Sequence, residues 1–143
     1  MAVLNSEQYH EVVLKGKQAV SMLQAKDLDG FIKYAEEGWA LFPNPKIYWN
    51  QAYNYAKMVF KGTFENQKME WAKVWLLRMV ENNNNLNLYD CECQYYEGKY
   101  YFEIGEYQIA YEKFRYVVSG SDFRYFDSND TKYLDFYKSK SPI

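Results

Sequence analysis

The sequence is poor in the residues that break helices or staple small folds. Its 143 residues include 3 prolines, 7 glycines, 2 cysteines and 1 histidine. The cysteines, Cys91 and Cys93, lie two apart. On a helix that spacing turns them roughly 200° from each other, so neither a shared metal ion nor a disulfide framework is expected. His10 stands near the N-terminus with no motif around it, and there is no metal-ligand spacing, glycine-rich phosphate loop or nucleophile elbow. Acidic pairs such as Glu36–Glu37, or Glu103 with Glu106, read as ordinary exposed helix carboxylates. The expectation is a protein that is not an enzyme and carries no cofactor or metal.

Charge of one sign is lacking too. The formal net charge is −2 and the pI about 5.5, with no basic cluster. A duplex-binding surface needs several Lys or Arg to displace counterions from phosphates, so no nucleic acid is expected as partner. No stretch approaches the ~18 consecutive apolar residues of a membrane span, so no membrane is expected either. The first ten residues lack the basic start and apolar run of a secretory signal, which places the expected site of action in the cytoplasm.

What the chain has in quantity is apolar and aromatic side chains. Hydrophobic residues make up 48% and charged residues 25%, far from the composition of disorder and enough for one continuous core. Aromatics reach 20%, with 16 tyrosines whose apolar bodies and polar tips suit helix interfaces and binding grooves alike.

Helical periodicity runs throughout. From Glu7 to Ala25 the apolar Val12, Ala19, Met22 and Leu23 recur at helical spacings. After a break at 26–29, with Asp29 as the expected N-cap, a second helix carries Phe31, Tyr34, Ala35, Trp39 and Phe42, and Pro43-Asn44-Pro45 ends it. A third runs from about Lys46 to Phe60 and is interrupted by Lys61-Gly62-Thr63. A fourth, about Glu65 to Val80, is followed by Asn82 to Asn85, which read as a linker. A fifth and a sixth, about Leu86 to Glu103 and Tyr107 to Val118, flank Gly105, and Ser119 to Asp122 reads as a turn. Asp127-Ser128-Asn129 offer caps for a short last helix bearing Tyr133, Phe136 and Tyr137.

Gly98, Tyr101, Gly105, Tyr107, Ala110 and Phe114 have the small-aromatic-turn-aromatic-Ala-Phe order of one known repeat, and this stretch resembles a tetratricopeptide (TPR) unit. Ala19, Met22, Leu28, Phe31, Ala35 and Pro43 hold similar offsets in a first unit. In a second, Trp49 sits at the early aromatic, Tyr53 at the small position, and Ala72 and Leu76 stand for the Ala and Phe. The resemblance implies an all-α fold: antiparallel helical hairpins stacked as a right-handed superhelix, with a C-terminal capping helix. The expected organisation is a single domain over 1–143, with units at about 7–43, 44–85 and 86–120 and a cap at 121–143.

The resemblance further implies a concave groove, lined by the first helix of each hairpin, that binds a partner peptide, helix or protein. Carried onto this chain, the expected partner-binding residues are Asn50, Asn54, Lys57 and Met58 in the second unit. In the third they are Glu92, Tyr95, Lys99, Phe102 and Glu103. The first unit offers Gly16 and Val20 inward, not the Lys and Asn of carboxylate-clamping members, which disfavours a clamp for C-terminal tails. An adaptor, a stand-alone inhibitor such as an immunity protein against a cognate toxin, and a secretion chaperone all remain open. The aromatic segment after Ser121 is expected either to cap the last hairpin or to lie across the groove, and it would also allow a homo-oligomer.

Overall fold

The computed structural model describes residues 5–43, 50–86 and 89–140, and every regular element among them is a helix. In chain order these are α1 (Ser6–Gln24), α2 (Leu28–Ala40), α3 (Asn50–Glu65), α4 (Met69–Leu86), α5 (Asp90–Glu103), α6 (Tyr107–Ser121) and α7 (Thr131–Lys140). Helix α1 packs on α2, α3 on α4 and α5 on α6, each pair joined by a three-residue turn. The chain divides into two compact units, Met1–Asn87 and Leu88–Ile143. The first holds two hairpins and the second holds one hairpin with α7.

The same backbone motif closes each hairpin. One residue adopts a left-handed conformation: Lys26 (φ 62°), Gln67 (φ 61°) and Gly105 (φ 84°). Its N–H donates to the carbonyl three residues back, at Leu23, Phe64 and Phe102 respectively. The next N–H donates to the carbonyl five back, at Met22, Thr63 and Tyr101, at 2.8–2.9 Å. This is the Schellman closure, which satisfies carbonyls that the helix end would otherwise leave unpaired. The expected turn at Gly105 is present, while the other two turns put a side chain where glycine would be least strained.

These turns reset the internal alignment. Seven residues before the left-handed position stand Ala19, Phe60 and Gly98; five after stand Phe31, Ala72 and Ala110; nine after stand Ala35, Leu76 and Phe114. Phe60, not Tyr53, therefore corresponds to Gly98. Each hairpin has one phenylalanine among these three buried positions, but in a different place each time. In the last hairpin a Cβ on Gly98 would lie 2.6 Å from the Phe114 ring, so the small residue there lets the two helices approach closely.

Four element ends differ from the sequence expectation. Asp27, not Asp29, caps α2, its Oδ1 accepting from Gly30 N at 2.9 Å. Helix α3 does not break at Gly62 but runs on to Glu65; glycine is needed at that position because it sits under Phe31, whose ring a Cβ would meet at 2.6 Å. The asparagine tract continues α4: Asn82 and Asn83 are 0% and 5% exposed, and Asn82 Nδ2 donates to Arg78 O at 2.8 Å. Helix α6 likewise absorbs Ser119 to Ser121, with Gly120 facing Cys91 Sγ. The start of α3 expected at Lys46, with Trp49, lies outside the described residues.

Aromatic rings fill both cores. In the first unit Trp39, Phe42, Tyr55 and Trp75 interlock with centroids 5.4–6.1 Å apart. The Arg78 guanidinium lies 4.3 Å from the Trp75 ring centroid and pairs with Glu36 at 2.8 Å. In the second unit Phe114 is the hub, touching the rings of Tyr95, Phe126, Tyr133 and Phe136.

Candidate functional site

Helix α1 carries two apolar lines. Val12, Gly16 and Ala19 are buried. Tyr9, Val13 and Val20 lie beside them, on the side that meets α3. An Asn5–Gln8 capping box starts this helix, with Asn5 Oδ1 accepting from Gln8 N at 2.9 Å and Gln8 Oε1 accepting from Asn5 N at 3.2 Å. Helix α3 is anchored by Tyr55, whose hydroxyl donates to the buried Ala35 carbonyl at 2.7 Å. Burial, and then the negative Glu36, push the Tyr55 phenol above its ordinary pKa, which keeps it a neutral donor.

Between α1 and α3 an open cleft of about 750 Å³ remains. Val12, Val13, Gly16 and Val20 form one wall, and Tyr55 with Met58 the other. Gln51, Asn54, Ser21 and Lys17 supply the polar groups along it. Lys17 is the one charged side chain of the lining, and among the described residues no carboxylate pairs with it. Gly16 is buried where the two walls approach each other: a Cβ there would reach ordinary contact, 3.7 Å from Tyr55 and 4.0 Å from Met58. An apolar cavity of this size with a few convergent polar groups has the form of a binding site.

The structure brings only part of the sequence-expected set to this cleft. Asn54 and Met58 line it, and so do the inward Gly16 and Val20. Lys57 lies over the Tyr53 ring, 6.0 Å from its centroid, and is not part of the lining. Asn50 begins α3, but its side chain lies outside the described residues. Tyr9, Val13, Lys17, Gln51 and Tyr55 were not expected. For Tyr9 and Val13 the signal in the sequence was a second apolar line, Tyr9-Val13-Gly16-Val20, running beside the packing stripe of α1; Lys17, Gln51 and Tyr55 carried none.

The residues expected on α5 belong to the second unit, where the C-terminal segment covers most of them. Tyr95 is 3% exposed; its hydroxyl donates to Asp130, and its ring meets Phe126 at 5.0 Å. Lys99 Nζ bonds Asp130 Oδ2 at 3.2 Å with both side chains largely buried. Phe102 packs edge-on against Tyr133 and Phe136. Glu103 accepts from the Tyr133 hydroxyl at 2.7 Å and pairs with Lys132. Burial pushes the Glu103 pKa up, but these hydrogen bonds, with the attraction of Lys132 and Lys99, outweigh it and hold the carboxyl below its ordinary 4.5. Glu92 is half-buried on α5 and is not among these contacts with α7. Helix α7 and the residues before it thus lie on the face of α5 that was expected to meet a partner.

Among the described residues no group of three or more His, Cys, Asp or Glu is placed to hold a metal ion, and no helix is long and apolar enough to cross a membrane. Comparison of the chain with known protein families, curated proteins and solved structures finds no match.

Proposed function

We propose that this chain is a non-catalytic, TPR-like interaction module that receives a segment of another protein in the α1–α3 cleft. The observation that carries the reading is the cleft itself. It is an apolar trough between the first helices of two successive hairpins, floored at Gly16 and edged by amide and hydroxyl groups. Such edges suit a peptide backbone, whose N–H and C=O groups need partners once desolvated. The three identical hairpin turns, with the Gly98–Phe114 contact, support the TPR-like class of helical hairpin. The left-handed residues recur at about 40-residue steps rather than 34, so this would be a long variant of the repeat. The mildly acidic composition favours a protein partner over nucleic acid, and we place its action in the cytoplasm.

The partner-binding set becomes Gly16, Lys17, Val20, Gln51, Asn54 and Met58. Selection of a random-peptide display library on the full-length chain tests the reading. Bound peptides should slow amide exchange in α1 and α3 and leave α6 unchanged. Failure to enrich any peptide, or protection confined to the second unit, would count against it.

A further inference from the structure

The segment that covers α5 is joined to its hairpin by a turn that its own sequence does not suit. Helix α6 ends at Ser121, and the exposed Asp122 takes φ 51° and ψ −136°. The Arg124 N–H donates to the Ser121 carbonyl at 3.3 Å, so residues 121–124 form a β-turn. Its first central residue, Asp122, has dihedrals close to those of a type II′ turn. Glycine belongs at that position, because a Cβ there crowds the backbone. Asp tolerates the left-handed helical region at ψ of about +45°, but Asp122 lies far from it. The chain has its glycine two residues too early, at Gly120.

Beyond the turn, the contacts with α5 are complete in themselves. The Phe126 ring meets Tyr95 and the Tyr133 ring meets Phe102, with centroids 5.0 and 5.3 Å apart. Asp130 accepts from the Tyr95 hydroxyl and pairs with Lys99 at 3.2 Å, and the Tyr133 hydroxyl donates to Glu103 at 2.7 Å. Each of these contacts joins α5 to a residue on the far side of the turn, so none requires that both sides belong to one chain. Helix α7 has only ten residues, too few to hold a helix alone in water, so it is ordered where an α5 face receives it.

We propose that the α5 face is an interaction surface for a second copy of this chain. Residues 125–140 leave their own hairpin and dock, with the same contacts, on α5 of the other copy, giving a two-fold dimer with exchanged C-terminal segments. Because the contacts are the same in the closed monomer and in the dimer, they cancel between the two states. The balance is left to the turn and to protein concentration. Opening lets Asp122 leave the positive-φ region in both copies at once, so backbone strain held in the monomer is released in the dimer. The exchange lies wholly within the second unit and is independent of the cleft reading above.

The test holds the concentrated full-length chain in urea just below its midpoint, so that the C-terminal segment opens, then returns it to buffer for size exclusion with light scattering. A dimer should appear beside the monomer. Asp122→Gly, which suits the turn, should lower the dimer association constant about ten-fold, and Asp122→Val should raise it by a similar factor. Two charge variants then separate an exchanged dimer from a side-by-side one. Lys99→Glu and Asp130→Lys each set like charges together within one chain. In an exchanged dimer of the two, the altered positions meet with opposite charge and the other Lys99–Asp130 pair is native. The mixture should therefore give at least about ten times the dimer of either variant alone. Should a charge variant fail to fold, the Asp122 variants, altered on the surface, decide the matter. A chain that stays monomeric throughout, a dimer indifferent to Asp122, or a mixture no more dimeric than its components overturns the proposal and leaves the cleft reading untouched.

Discussion

Two glycines in helix interiors should respond oppositely to the same substitution. Replacing a mid-helix glycine by alanine removes backbone entropy from the unfolded chain and favours the helix by about 1 kcal/mol wherever the methyl fits. At Gly16 it fits, since the new carbon lies 3.7 Å from Tyr55 and 4.0 Å from Met58. Gly16→Ala should therefore raise stability by about 1 kcal/mol. At Gly98 the carbon would fall 2.6, 2.8 and 3.0 Å from three atoms of the Phe114 ring, against the 3.5–4.0 Å of a relaxed carbon contact. The ring has nowhere to retreat, being 0% exposed and surrounded by Tyr95, Phe126, Tyr133 and Phe136. Overpacking of a filled core costs about 1–3 kcal/mol, so Gly98→Ala should change stability by about 0 to −2 kcal/mol after the helix gain. The helix gain is common to both variants and cancels in the comparison. Gly98→Ala should accordingly lie about 1–3 kcal/mol below Gly16→Ala in urea unfolding followed by circular dichroism, with unchanged m. Adding Phe114→Leu to Gly98→Ala should recover part of the loss through coupling of touching residues. If Gly98→Ala proves as stable as Gly16→Ala, the reasoning from close approach is wrong.

Three further outcomes are expected. Removing the side chain at the left-handed positions, with Lys26→Gly or Gln67→Gly, should stabilise by about 0.5–1 kcal/mol, whereas Gly105→Ala should destabilise by about 1 kcal/mol, all read from urea midpoints. The Glu103 carboxyl is held below 4.5, so its contribution is present above the unfolded-state pKa and is lost as pH falls through the folded one. The urea midpoint should thus fall as pH drops below about 4.5, and less steeply in Glu103→Gln; equal slopes would show that the Tyr133–Lys132 contacts do not hold this group. Burial, followed by repulsion from Glu97, pushes the Cys93 thiol up to about 12. In a Cys91→Ser background, native protein at about pH 8 should therefore leave a thiol reagent unreacted until denaturant is added; immediate reaction would refute the buried placement.

Much of the architecture was legible because period and turn chemistry agreed. Gly105 announced its turn, and Gly98 and Phe114 stood at the small and Phe positions of a TPR-like hairpin. What misled was the double meaning of helix-poor residues. Gly62 signals a break when only neighbours in sequence are considered; its real neighbour is the Phe31 ring, 31 positions away, which requires that there be no side chain. Asn82 and Asn83 signal a linker, yet the amide of Asn82 turns back to its own helix and is buried. Lys26 and Gln67 carry no mark of a left-handed backbone at all, since that conformation is imposed by closing the hairpin. The site was half legible for a related reason. Helical spacing shows which residues share a face, as with Asn54 and Met58, but not which face another segment of the same chain will cover. Tyr95, Lys99 and Phe102 looked like anchors for a guest and are occupied by residues 125–136 of their own chain.

The division at Asn87 has a practical consequence for anyone watching this protein unfold. All four tryptophans, Trp39, Trp49, Trp71 and Trp75, belong to the first unit, while 11 of the 16 tyrosines belong to the second. Indole emission excited at the red edge is therefore a private signal of the cleft-bearing half, and far-UV ellipticity is shared by both. Overlaying the two traces separates a single cooperative transition from two independent ones without any label being attached.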